Sequence, residues 1–152
     1  MSVELDSLDR QLIRALAEDA GANAGELGRQ LGLSQPACWR RTQRLRDAGV
    51  FRGARVELDL DKLGFGVSVF LGIKLATKGR VSLEDFERAA AAIPEVQRIE
   101  HVLGLYDYRL RVVARDLSDF ERVLRRRIMT LPGVGNVEAN VLLSEERRPG
   151  PL

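Results

Sequence analysis

The sequence predicts an α+β protein: a winged helix-turn-helix domain at the N-terminus, then a ferredoxin-like β-α-β-β-α-β domain. Three observations predict it. Residues 27–50 read as two short helices separated by a tight turn. Residues 67–143 carry apolar runs of period 2 and period 3.6 in the order strand, helix, strand, strand, helix, strand. Within that stretch Ile93-Pro-Glu-Val96 and Leu131-Pro-Gly-Val134 occupy equivalent places, the mark of an internal repeat. The expected boundaries are 1–55 for the first domain, 56–66 for a connecting strand and linker, and 67–152 for the second.

The first helix starts at an Asp6 or Ser7 cap and carries Leu8, Leu12, Ile13 and Leu16 on one face. A Gly/Ala/Asn-rich link from Ala20 to Gly25 leads to a short helix marked by Leu27 and Leu31. Gly28 faces the next helix and lets two backbones approach closely. Gly32 sits where the chain reverses, a place for φ > 0. Ser34 follows as an N-cap, and Pro36 falls in the first turn, where a missing N–H costs little. The helix runs to Ala48 and stops at Gly49.

On a wheel at about 100° per residue, Thr42 and Leu45 fall within about 40° of Cys38, and the three form the inward stripe. Pro36, Trp39, Arg40 and Gln43 lie opposite, flanked by Arg41 and Arg44. Arginine pairs bidentately with guanine and glutamine with adenine, and both also bind phosphate. Between Arg40 and Arg55 stand six arginines and one acid, Asp47, whereas Met1 to Trp39 holds three arginines and six acids. The whole chain is only +2. Positive charge is thus concentrated on this helix and the segment after it, the footprint of a surface that binds duplex DNA. The expected DNA contacts are Ser34, Gln35, Pro36, Trp39, Arg40, Arg41, Gln43, Arg44 and Arg52.

Composition closes other routes. No apolar run approaches the length that spans a bilayer, and Met-Ser-Val-Glu-Leu-Asp at the N-terminus has no signal-peptide core, so a cytoplasmic location is expected. One cysteine, Cys38, forms no internal disulfide, and with a single His101 it makes no zinc cluster. No metal or cofactor is expected. Paired carboxylates or a nucleophile with its base cannot be placed together, so the chain is not expected to be an enzyme.

In the connector Val56, Leu58 and Leu60 alternate with acids and suggest a short strand before Gly64 and Gly66. Val67, Val69, Leu71, Ile73 and Leu75 form the next strand. Ser82 caps a helix with Leu83, Phe86, Ala90 and Ile93 inward, stopped by Pro94. Val96 to Leu103 is a strand, and Tyr108, Leu110 and Val112 mark another. Ser118 opens a helix carrying Phe120, Val123, Leu124, Ile128 and Leu131. Val137, Ala139, Val141 and Leu143 alternate in the last strand. Two helices cover one sheet face. Phe70, Val113 and Leu142 fall off the inward register, which favours a partner on the other face. The arginines of the last helix, Arg122 and Arg125 to Arg127, read as a solvated face before an anion site.

The chain resembles the Lrp/AsnC, or feast/famine, family of prokaryotic transcription regulators. The residues carrying the likeness are Leu5-Asp6…Asp9-Arg10…Leu12-Ile13…Leu16, Glu26-Leu27-Gly28…Leu31-Gly32-Leu33-Ser34, Cys38-Trp39-Arg40-Arg41…Arg44-Leu45…Ala48-Gly49-Val50, Pro94-Glu95-Val96, Gly104-Leu105-Tyr106-Asp107-Tyr108 and Leu131-Pro132-Gly133-Val134. The Ser34…Pro36…Cys38 segment is most similar to the leucine-responsive branch. The resemblance implies a RAM-type second domain that binds a small effector, usually an amino acid, between protomers. It also implies dimers that assemble further into tetramers or octamers. It places the effector at Leu103, Gly104, Tyr106, Asp107 and Ala139. Asp107 either binds an ammonium or caps its turn through its own backbone. Leu103 and Ala139 stand where hydroxyl residues are common in the family, so a ligand with more apolar contact than a small polar amino acid is expected.

The expected partners are double-stranded DNA, a second copy of the chain and a small-molecule effector, with no membrane. Two other readings compete: a tetrapyrrole decarboxylase, which resembles this architecture, and an architectural protein that binds DNA with little sequence preference. The arginine-rich reading face and the single histidine stand against the first. Arg40 and Gln43 favour base reading over the second.

Overall fold

The computed structural model describes residues 3–76 and 80–146. Among the described residues, five α-helices and one four-stranded sheet form two compact units, the first of residues 3–57 with Glu146 and the second of the described residues from Leu58 to Glu145.

The first unit holds three helices, α1 (Ser7–Glu18), α2 (Ala24–Leu31) and α3 (Gln35–Asp47). Each begins at a side-chain cap that takes up one or two of the N–H groups left unpaired in its first turn. Asp6 and Asp9 make a reciprocal capping box on α1, and Asn23 and Glu26 make one on α2. The Ser34 hydroxyl accepts from the Ala37 amide at 3.4 Å at the start of α3. Gly32 takes φ 67° at the reversal between α2 and α3. The core is small: Leu12, Ile13, Leu27, Cys38 and Leu45, with Leu5, Leu16, Leu31, Val50 and Phe51 packed around it. The inward stripe of α3 is as the wheel predicts, with Thr42 donating its hydroxyl to the Cys38 carbonyl at 3.0 Å.

The connector forms no strand. Val56 and Leu58 are exposed, and Leu60 to Gly64 makes a turn in which the Phe65 amide donates to the Leu60 carbonyl at 2.9 Å. An isolated strand has no partner for its backbone groups, so alternation alone does not fix one here. The helix-turn-helix therefore carries no strand wing in these residues.

The second unit runs β1 (Val67–Leu75), α4 (Arg80–Ala91), β2 (Val96–His101), β3 (Tyr108–Ala114), α5 (Leu117–Val123) and β4 (Val134–Val141). The strand order is β2-β3-β1-β4, and all three pairs are antiparallel. This is the ferredoxin-like arrangement that the repeat predicts. Val69, Leu71, Ile73 and Leu75 of β1 and Tyr108, Leu110 and Val112 of β3 meet Phe86, Ala90, Phe120, Val123 and Ile128 in one core.

Five details differ from the sequence reading. The helix α4 begins at Arg80, so Ser82 lies inside it and not at its cap. The cap of α5 is Asp116, whose side chain accepts from the Asp119 amide; a carboxylate outcompetes Ser118 for that position. The helix expected to run to Leu131 stays α-helical only to Val123 and then makes a π turn over Leu124–Ile128. The strand β2 ends at His101, and Leu103 is fully exposed. Ala139 and Val141, in the second half of the edge strand β4, are exposed, whereas Val134 and Val137 in its first half pack against the core; Leu143 is exposed beyond the strand's end.

The sheet face away from the helices, where a partner was expected, carries arginines beside Phe70. Arg109 and Arg111 both lie over the Phe70 ring, at 5.5 and 5.6 Å from its centroid. Arg111 also donates to the Ser68 hydroxyl at 3.2 Å and to both Glu145 oxygens at 3.0 and 3.1 Å. Val113 is buried within the single chain, and Phe70 and Leu142 are half-buried.

Candidate nucleic-acid interface and effector loop

The outward face of α3 is assembled by its caps and its inward stripe. Gln35, Pro36, Trp39 and Arg40 are exposed, Trp39 at 59 %. Ser34 is exposed as well, its hydroxyl holding the cap. Gln43 is half-buried and donates to the Asp47 carboxylate at 2.9 Å. Arg52 is exposed in the segment after α3. Arg40, Arg46 and Arg52 have no ion-pair partner among the described residues. The positions named from the wheel thus share one surface.

Arg41 and Arg44 are engaged within the unit. The Arg41 Nη1 group donates to Asp6 Oδ2 at 2.7 Å and to Asp9 Oδ1 at 2.8 Å. The Arg44 Nη2 group donates to Asp9 Oδ2 at 2.5 Å. Asp9 is buried beside Leu12 and Ile13, its side chain 1 % exposed. Burial alone raises its carboxyl, but the hydrogen bonds from Arg44, the Asp6 amide and Arg41 outweigh that and hold it at about 2. The Asp6 carboxyl is also lowered, first by the Asp9 amide and then by Arg41. Sequence reasoning missed this network. The signal was present: Asp9 shares the spacing of Leu12, Ile13 and Leu16, and a carboxylate on an apolar face needs a cation.

The two helices of the turn pack unusually close. A Cβ at Gly28 would stand 2.7 Å from the Leu33 carbonyl oxygen, so only glycine lets α2 meet the turn here.

The loop between β2 and β3 holds the effector candidates. Gly104 has φ 155° with open space around it, and Leu103 and Leu105 flank it fully or largely exposed. Asp107 ties this loop to β1. Its amide donates to the Ile73 carbonyl at 2.9 Å, and its Oδ2 accepts from the Leu75 amide at 2.8 Å. Lys74 stands 3.6 Å from its Oδ1. The carboxylate therefore caps a neighbouring strand and not its own turn. Tyr106 lies over Gly72 and hydrogen-bonds through its hydroxyl to Glu138, which raises the Tyr106 pKa and lowers that of Glu138. Ala139 is exposed on β4, paired with Leu71.

One buried pair in this unit also escaped the sequence reading. Tyr108, fully buried, donates its hydroxyl to the Glu87 carboxylate at 2.5 Å. Burial, then that carboxylate, pushes its pKa well up.

Residues 5–46 match the AsnC-type helix-turn-helix domain, and residues 68–152 match the Lrp/AsnC ligand binding domain. The chain belongs to the Lrp/AsnC family. It is a DNA-binding transcriptional regulator. The proline dehydrogenase transcriptional activator of Rhizobium radiobacter is 33 % identical over 147 residues, covering 97 % of this chain and 94 % of that protein. A transcriptional regulator of Neisseria meningitidis, solved as a complex with L-methionine, superposes with a TM-score of 0.89 at 26 % identity, covering 98 % of this chain and 96 % of the other. Escherichia coli AsnC superposes with a TM-score of 0.79 at 27 % identity, with 97 % of each chain covered. Relatives are named as regulators of transcription, and no helix among the described residues is long and apolar enough to cross a membrane.

Proposed function

We propose that this regulator reads duplex DNA with the outward face of α3 and answers to an amino acid or related small metabolite held at the β2–β3 loop. The observation that carries the reading is the outward set of exposed Trp39 and Arg40 with half-buried Gln43, on a helix whose opposite stripe, Cys38, Thr42 and Leu45, is locked in the core. That geometry offers side chains to base edges without spending core packing. Ser34 and Gln35 at the helix start and Arg52 beyond its end supply donors for the flanking phosphates, and Pro36 offers only apolar contact beside them.

Self-association supports the second half. In one chain Leu103, Leu105, Val141 and Leu143 are all exposed. A dimer built through the second unit would cover part of this apolar surface, and a pocket between protomers would then be lined by the Gly104 loop. Leu103 and Leu105 favour a ligand with an apolar side chain. The Neisseria meningitidis relative, solved with L-methionine, fits that expectation. A dimer presents two reading helices about one helical turn of DNA apart and calls for a pseudo-palindromic site. The test combines light scattering, selection of a site from a random-sequence duplex pool, and thermal-shift screening against the amino acids. A monomer at micromolar concentration, or a selected site without two-fold symmetry, would refute the dimeric reading.

A further inference from the structure

The arginines of α3 are of two kinds. Arg40 and Arg46 have no ion-pair partner among the described residues. Arg41 and Arg44 are bound by two carboxylates of the first helix and its cap, Asp6 and Asp9, through three contacts of 2.5 to 2.8 Å. A guanidinium that has given its donors to a carboxylate has fewer left for phosphate. Asp9 cannot turn away, because it is buried and also accepts from the Asp6 amide at 3.1 Å. Yet Arg44 is half-exposed and Arg41 partly so, within reach of solvent and of a nucleic-acid backbone.

We propose that Asp6 and Asp9 act as internal stand-ins for phosphate, withholding Arg41 and Arg44 from the DNA backbone. The consequence is specificity. Phosphate contacts supply nearly all sequence-independent affinity, so each arginine withheld lowers binding to random DNA, while Arg40 and Gln43 still read bases. Of the six arginines between Arg40 and Arg55, two are thereby cancelled where the sequence alone counts them as free. The proposal rests on α3 being the DNA-reading face.

The experiment uses the full chain with the substitutions Asp9→Asn and Arg44→Gln, singly and together, because Arg44 is held by Asp9 whereas Arg41 is shared between Asp6 and Asp9. Asparagine keeps a side-chain oxygen for the Asp6 amide and loses the charge that holds the arginine. Binding to a random-sequence duplex and to a selected site is followed by fluorescence anisotropy across a salt series. Releasing one arginine to a phosphate steepens the slope of log K against log salt by about 0.9, so that affinity falls about 3-fold to 4-fold further between 50 and 200 mM salt. Asp9→Asn should show at least this steepening, bind random DNA more tightly at low salt, and lower the ratio of specific to random affinity. In the Arg44→Gln background the steepening should be smaller by about that amount. An unchanged slope for Asp9→Asn overturns the proposal. So does equal steepening in the Arg44→Gln background, because the lost charge would then act by itself. If Asp9→Asn melts below the assay temperature, Arg44→Gln alone decides the matter: a withheld arginine makes no phosphate contact, so its loss should leave the slope at the wild-type value, and a shallower slope overturns the proposal. A wild-type chain that binds no duplex sinks the reading face itself, and this proposal with it.

Discussion

The Tyr106 ring lies so close over Gly72 that a Cβ at Gly72 would stand 2.7 Å from three of its carbons. Tyr106 belongs to the β2–β3 loop and Gly72 to the middle of β1, so this contact holds the loop against the sheet. Gly72→Ala forces the ring away and breaks its hydrogen bond to Glu138. Overpacking of this kind costs about 1–3 kcal/mol. The expected outcome is a lower melting temperature, together with a tyrosine titration that moves down toward its ordinary range, since Glu138 no longer raises it. A variant with the wild-type melting temperature would show that the ring moves aside freely.

Gly28→Ala should be at least as costly for the first unit. The obstacle is a backbone carbonyl, Leu33, which cannot rotate away as a side chain can. The turn must open, and α3 shifts with it. Denaturant melts should show a loss on the order of 2 kcal/mol, and DNA affinity should fall with it.

The Asp9 carboxyl makes stability depend on acid. Its pKa is about 2 in the folded chain against 3.8 for an ordinary aspartate. The depressed value favours the folded state by about 2 kcal/mol. That stability is fully present above the unfolded value and is lost as pH falls through the folded one. In urea melts the advantage of wild type over Asp9→Asn should therefore hold near neutrality and shrink progressively below about pH 4. An advantage that persists undiminished at the acid end would mean that Asp9 contributes by shape and not by charge.

These sites separate what the sequence discloses from what it hides. The α3 stripe was legible because helix periodicity and the Ser34, Pro36 and Gly49 signals agree. The sheet was legible because two Pro-stopped repeats bound its helices. The Asp9 network was not, since pairing 32 and 35 residues apart has no local pattern. The missing strand at 56–60 has the opposite cause: alternation was present, but no second strand stands beside it.

Arg40→Ala and Gln43→Ala should each weaken binding to a selected site by about 1–3 kcal/mol and relax its sequence preference. Gln43 already donates to Asp47, so part of its effect is lost helix order, and Asp47→Ala, which removes the acceptor and leaves Gln43 in place, serves as the control. Gel-shift titration at fixed salt reads the result. Binding that stays at wild-type strength for both Arg40→Ala and Gln43→Ala would place the reading face elsewhere on the unit.

Asp107 is asked to do two things, and two substitutions tell them apart. Its Oδ2 holds the Leu75 amide, so Asp107→Ala strands a donor at the end of β1 and should cost about 1–3 kcal/mol. Asp107→Asn retains an oxygen for that amide and should keep most of the stability. What asparagine loses is charge. Lys74 stands 3.6 Å from Oδ1, and the Asp107 side chain is 17 % exposed, so a ligand ammonium, if it pairs with this carboxylate as proposed, has to compete with the lysine. An effector changes DNA binding only by its difference in affinity between two states of the protein, typically about 1–3 kcal/mol. Both variants should then bind DNA as wild type does without ligand, because Asp107 lies in the other unit, and both should fail to respond when the ligand is added. The measurement is DNA binding and sedimentation with and without an amino acid found by thermal-shift screening. A full response from Asp107→Asn would make the carboxylate a strand cap alone, and the ligand's amine would then be held by other groups of the loop.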